Sequence, residues 1–227
     1  MARPIDRLPA PNAVLFDLDG TLVDTVKARI DAWEETFAEV GMPIDRDRLA
    51  PLIGVDGRRL AREVAALHGN PIEDERAEAI DRRSGELYER LNAAPRPLAG
   101  VDRVVAAMER RGIDWAIATS SRAAQVATSV AALGLAREPV IVDASHVTRA
   151  KPEPDLLLFA AAQLHVSPAT CWYIGDSTWD MVSAVAAGMV PIGVTAGSAV
   201  DAVALLGAGA AAVVESLDDV ADALDLR

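Results

Sequence analysis

The chain has 227 residues, 51% of them apolar, and carries 34 acidic against 22 basic side chains, a net charge of −12. That length fills one large domain or a core with a smaller insertion, and the apolar share excludes a chain disordered throughout. The acidic balance argues against a nucleic-acid or membrane partner, since each asks for a basic face.

Residues 1–12 hold charges and three prolines, Pro4, Pro9 and Pro11, but no apolar run of the kind a secretory signal needs. Short, nearly continuous apolar runs then recur at 13–16, 115–118, 140–142, 171–174, 190–194 and 211–214. Such runs predict strands covered on both faces. Helical patterns at 25–40, 57–68 and 73–91 follow the first run, and further ones at 101–111, 123–133, 154–164 and 177–187 lie between the later runs. Strands alternating with helices predict an α/β fold, a doubly wound and mostly parallel sheet. The first two strands are too far apart for one crossover, and no strand pattern lies between them. Residues 23–96 are therefore expected to form a small helical domain inserted into a core made of 1–22 and 97–227. The run Ala93-Ala94-Pro95-Arg96-Pro97 reads as its stiff return linker. Residues 181–200 are uncharged, but Gly188, Pro191, Gly193 and Gly197 break them into helix end, strand and loop rather than a membrane span. A single cysteine, Cys171, excludes an internal disulfide and fits a reducing, cytoplasmic setting; inside a strand run it reads as a small apolar residue.

The chemistry gathers where the predicted strands end. The first run leads into Asp17-Leu18-Asp19-Gly20-Thr21, the second into Thr119-Ser120-Ser121, the third toward Lys151-Pro152-Glu153-Pro154, and the fourth into Gly175-Asp176-Ser177-Thr178-Trp179-Asp180. In a parallel sheet these ends share one edge, where open α/β folds bind ligands. Asp17, Asp19, Thr119, Lys151, Asp176 and Asp180 are thus expected to converge. Carboxylates, a lysine and a hydroxyl at one edge suit phosphoryl transfer through an aspartyl-phosphate. One carboxylate attacks phosphorus and a second moves the proton. An oxygen-seeking divalent cation and the lysine cancel the repulsion between two anions. Thr119 and Ser120, before a helix start, are expected to hold phosphate oxygens. A calcium loop fits poorly, because the position that should carry a bidentate glutamate is Ala28. His68, His146 and His165 form no ligand spacing. The loop Gly54-Val55-Asp56-Gly57-Arg58-Arg59 breaks the inserted helical pattern, and its Arg58 is a candidate for gripping a substrate anion.

This ordered set resembles the haloacid dehalogenase superfamily, within it the phosphoglycolate phosphatase and β-phosphoglucomutase-like group, on Asp17–Thr21, Thr119, Lys151 and Gly175-Asp176-x-x-x-Asp180. The resemblance implies a Rossmann-like core with the insertion as an α-helical cap. It implies Asp17 as nucleophile, Asp19 as acid/base and Lys151 as charge neutraliser. It also implies Mg²⁺ on the Asp17 carboxylate, the Asp19 main-chain carbonyl and Asp176, with Asp180 behind them. True dehalogenases of the superfamily usually have no aspartate two residues after the nucleophile, so Asp19 points to phosphate esters. The expected activity is hydrolysis of a small phosphorylated metabolite, of phosphoglycolate or sugar-phosphate type, by a monomer or homodimer. The alternatives are a phosphomutase using the same aspartates and a metabolite-binding protein without catalysis.

Overall fold

The computed structural model describes residues 3–226. Six strands, β1 (Ala13–Phe16), β2 (Asp114–Ala118), β3 (Val140–Val142), β4 (Cys171–Gly175), β5 (Val190–Val194) and β6 (Ala212–Val214), form one sheet in the order β3-β2-β1-β4-β5-β6. Every pairing is parallel. β1 lies between β2 and β4, with Phe16 opposite both Ile117 and Ile174. The chain departs to one side of β1 for β2 and β3 and to the other for β4 to β6, so the β1 carboxyl end lies at the point where the strand order reverses.

The continuous apolar character of β1 follows from burial on both faces. Val14 and Phe16 pack into one layer with Val101 and Val104 of α5 (Val101–Arg111), Val126 of α6 (Ala123–Ala132) and Leu217 and Val220 of α10 (Leu217–Asp225). Ala13 and Leu15 point the other way, against Leu156 and Ala160 of α7 (Asp155–Gln163) and Ala184 of α8 (Thr178–Ala186). The short α9 (Ala202–Gly207) precedes β6. Neither α9 nor α10 was expected. Six residues are too few for a periodic signal, whereas Leu217, Val220, Ala221 and Leu224 do carry helical spacing.

Between β1 and α5 the chain forms α1 (Val26–Glu39), α2 (Arg46–Leu49), α3 (Gly57–Leu67) and α4 (Asp74–Leu91), with no sheet strand among them. They bury an apolar cluster of their own, in which Ile30, Trp33 and Phe37 meet Leu60, Val64 and Ile80. The two connections run side by side: the Asp24 amide donates to the Arg96 carbonyl at 2.9 Å and the Leu98 amide to that of Leu22 at 2.9 Å. Among the described residues no helix is long and apolar enough to cross a membrane.

Candidate active site

Asp17 follows β1 directly and keeps the strand's register, its amide donating to the Ile174 carbonyl at 2.8 Å. That pins a carboxylate at the sheet edge. Asp176 and Asp180 arrive from the β4–α8 turn, closed by a reciprocal cap: the Asp180 amide donates to Ser177 Oγ at 3.2 Å and the Ser177 amide to Asp180 Oδ2 at 3.0 Å. Lys151 reaches between them. Its ammonium donates to Asp17 Oδ1, and to Asp180 Oδ1 at 2.7 Å, with the lysine only 1% exposed. The Tyr173 hydroxyl stands 3.0 Å from the same Asp180 oxygen, and Ser177 Oγ donates to Asp180 Oδ2 at 2.6 Å. Both Asp180 oxygens are therefore occupied. Asp176 Oδ1 accepts from Thr21 Oγ1 at 3.0 Å. Gly20 makes the approach possible: its φ is +85°, and a Cβ there would collide with the Asp176 carboxylate.

One ammonium faces three buried carboxylates, an excess of about two negative charges if all are ionised. The strain is visible in their acidities. Burial, reinforced by Asp180, pushes the Asp17 carboxyl up to about 7 although Lys151 pulls it down. Burial and the neighbouring Asp180 and Asp17 push Asp176 well above the usual carboxylate range. Burial disfavours the Lys151 ammonium, but Asp17 and Asp180 outweigh it and raise its pKa. An oxygen from each of Asp17, Asp176 and Asp180 lies within 4.8 Å of the others, so the group could hold a metal ion. A divalent cation matches both the hard oxygen donors and the charge excess.

Asp19 points into a different network, built largely by the helical insertion. Its Oδ1 accepts from Thr25 Oγ1 at 2.8 Å and from the Tyr88 hydroxyl of α4 at 2.7 Å. Its Oδ2 accepts from Arg29 Nη2 of α1 at 2.9 Å and from Ser121 Oγ at 2.5 Å. The same Arg29 donates to Ser121 Oγ and to Gln125 Oε1, and its guanidinium lies 3.5 Å above the Tyr88 ring centre. Burial works against the Asp19 charge, but the Arg29 guanidinium and the Ser121, Tyr88 and Thr25 hydroxyls win and hold its pKa low.

The sheet edge and the insertion enclose a cavity of about 560 Å³, lined by Asp17, Asp19, Asp176, Thr119 and Ser120 at the core and by Arg58 on the opposite wall. Thr119 Oγ1 accepts the Ser121 amide at 3.1 Å, while Ser120 Oγ is buried without a hydrogen-bond partner. An unpartnered hydroxyl beside the carboxylates suits an oxyanion ligand. All the residues expected at the sheet edge are thus brought together. Arg58 reaches the cavity but is bound by Asp56, at 3.0 and 3.3 Å. Trp179 does not line the cavity; its indole donates to the Pro51 carbonyl at 2.8 Å and fastens the insertion to the start of α8. Arg29, Tyr88, Ser121 and Gln125 were missed by sequence reasoning. A helical arginine and tyrosine read as ordinary amphipathic positions, and only Ser121, beside Thr119, lay near an expected site.

The description "haloacid dehalogenase-like hydrolase" belongs to the family whose sequence pattern matches residues 14–194, which span the sheet-edge carboxylates, the insertion and β5. The chain is 34% identical over 179 residues to an N-acetylmuramic acid 6-phosphate phosphatase of Pseudomonas aeruginosa, covering 78% of each. It is 31% identical over 190 residues to a β-phosphoglucomutase of Bacillus subtilis, covering 82% of this chain and 84% of the relative. Among solved structures, a hydrolase from Pseudomonas syringae superposes with a TM-score of 0.89 at 32% identity, over 94% of this chain and 98% of that one. With the motifs, the sheet order and the buried carboxylates in agreement, the chain belongs to the haloacid dehalogenase-like hydrolases.

Proposed function

We propose that this hydrolase is a Mg²⁺-dependent phosphatase of small phosphorylated metabolites, with residues 23–96 acting as a cap over a core of 1–22 and 97–227. One observation carries the reading: Asp17, Lys151 and Asp176 meet at the end of β1, beside a second aspartate two residues on. In the first step an Asp17 carboxylate oxygen attacks phosphorus and the ester P–O bond breaks. Asp19 gives its proton to the leaving oxygen. In the second step Asp19 takes a proton from water, the water oxygen bonds to phosphorus, and the P–O bond to Asp17 breaks to release inorganic phosphate. Arg29 and its hydroxyl neighbours favour the Asp19 carboxylate, the form the second step requires. For the first step that contact has to yield as substrate binds.

Thr119 and the unpartnered Ser120 hydroxyl would hold phosphate oxygens, and Lys151 would balance the charge of Asp17 as the phosphate arrives. Asp17, Asp176 and the Asp19 main-chain carbonyl would hold Mg²⁺, and Asp180, both oxygens engaged, would orient Lys151 and stay behind the metal. When bound, the ion would neutralise the phosphate and lower its repulsion from the carboxylates. The 31% identity to a β-phosphoglucomutase supports a second reading, in which the phosphoryl group returns to a sugar hydroxyl instead of water.

The test is Mg²⁺-dependent phosphate release from phosphoglycolate, hexose phosphates, glycerol phosphate and nucleoside monophosphates, comparing wild type with Asp17→Asn. The expected result is release by wild type alone. No release from any ester would refute the phosphatase, and turnover only with a sugar bisphosphate primer would establish the mutase.

A further inference from the structure

The cavity is far larger than a two-carbon leaving group fills, so its remote wall meets whatever the phosphate is attached to. That wall is built by the insertion and the start of α6. Asp56 and Arg58 come from the loop before α3 and its first turn, Glu78 and Asp81 from α4, and Arg122 from the core. Three carboxylates thus stand against two guanidiniums. Neither guanidinium is without a carboxylate: Arg58 is bound by Asp56, and Arg122 Nη2 donates to Glu78 Oε1 at 2.9 Å and to Asp81 Oδ2. Arg29, the remaining arginine of the lining, is spent on Asp19. The acidic character continues outward, where Arg62 meets Asp74 at 2.8 Å and Glu75 lies beside Glu78. Gly57 lets α4 come close, because a Cβ there would collide with the Asp81 carboxylate. Trp33, Ile53, Val55 and Leu60 add apolar lining.

We infer that this wall selects monoesters whose leaving group carries hydroxyl donors and no second anion, with Glu78 and Asp81 as the specificity-determining residues. A hydroxyl can donate to a carboxylate oxygen even while that carboxylate keeps its arginine, since each oxygen has two lone pairs. A carboxylate or second phosphate on the leaving group would instead face a net negative, already paired wall, and like charges set opposite one another disfavour binding. The inference rests on the phosphatase reading above and narrows it. Sugar and polyol monophosphates are substrates; phosphoglycolate and sugar bisphosphates are rejected.

The experiment compares kcat/KM for a hexose monophosphate, the sugar-acid phosphate of the same carbon chain, and the hexose bisphosphate. Phenyl phosphate serves as a probe of the chemistry alone. Wild type is expected to favour the hexose monophosphate over both anionic partners by about tenfold or more. Glu78→Gln, which removes one charge from a half-buried position at nearly constant size, is expected to shrink that ratio severalfold. A substitution that merely lowers the folded fraction scales every substrate alike and leaves the ratio unmoved. Equal or better turnover of the sugar-acid phosphate or bisphosphate by wild type overturns the inference while leaving the phosphatase intact. An unchanged ratio in Glu78→Gln removes Glu78 from the role. Failure to cleave even phenyl phosphate refutes the phosphatase reading, and this inference falls with it.

Discussion

Replacing Arg29 by methionine keeps most of the side chain's length and apolar stem but removes the guanidinium that joins the helical insertion to Asp19. Arg29 and Asp19 side chains are only 13% and 14% exposed, so their pairing is shielded from water. Breaking a buried pair by deleting one partner costs about 3–5 kcal/mol, because the surviving charge is left uncompensated. Asp19 would keep three hydroxyl donors, Thr25, Tyr88 and Ser121, which places the loss at the low end, about 3 kcal/mol. For a chain of this length that is a fall in Tm of about 6–12 °C. The loss is pH-dependent. The native Asp19 pKa is depressed, so its stabilising contribution is fully present above the ordinary carboxylate value and disappears as pH falls through the native one. The gap between wild type and Arg29→Met should therefore be full at neutral pH and close on acidification below about pH 4. Thermal unfolding across that range, with Asp19→Asn and the double variant completing a cycle, measures it. A loss under about 1 kcal/mol at neutral pH, or strictly additive effects in the cycle, would refute the claim that Arg29 acts through the Asp19 charge.

Two further outcomes are expected. Mg²⁺ at about a hundred times its Kd should stabilise the fold by about 2.7 kcal/mol. Asp176→Asn should lose that response while being no less stable without metal, since burial and its carboxylate neighbours already disfavour the Asp176 charge. An undiminished Mg²⁺ shift in the variant would remove Asp176 from the metal site. Cys171 is buried at the start of β4 and burial pushes its thiol up to about 11, so thiol reagents should modify it at neutral pH only after unfolding. Rapid stoichiometric labelling of the native protein would contradict that placement.

The sequence by itself determined the sheet and its chemical edge. β1 and β5 coincide with apolar runs at 13–16 and 190–194, because a strand buried on both faces must be apolar throughout and the turns beside it must be polar. Since the polar groups follow the strands immediately, parallel pairing alone brings Asp17, Thr119 and Asp176 to one edge, and short-range order was enough to foresee it. The absence of a strand pattern after β1 likewise agrees with α1 to α4, the helices that fill the connection to α5. What only the tertiary structure decided is how that insertion meets the edge. Tyr88 lies 69 positions from Asp19 and Ser121 lies 102, and nothing local in a helical tyrosine or a loop serine announces a shared carboxylate. The same holds for Arg58, whose charge looked available until Asp56 was seen to hold it, and for the Glu78–Asp81–Arg122 wall. Periodicity reports which face of a helix is apolar; which charges neutralise one another across a cavity depends on distances that only the packed fold sets.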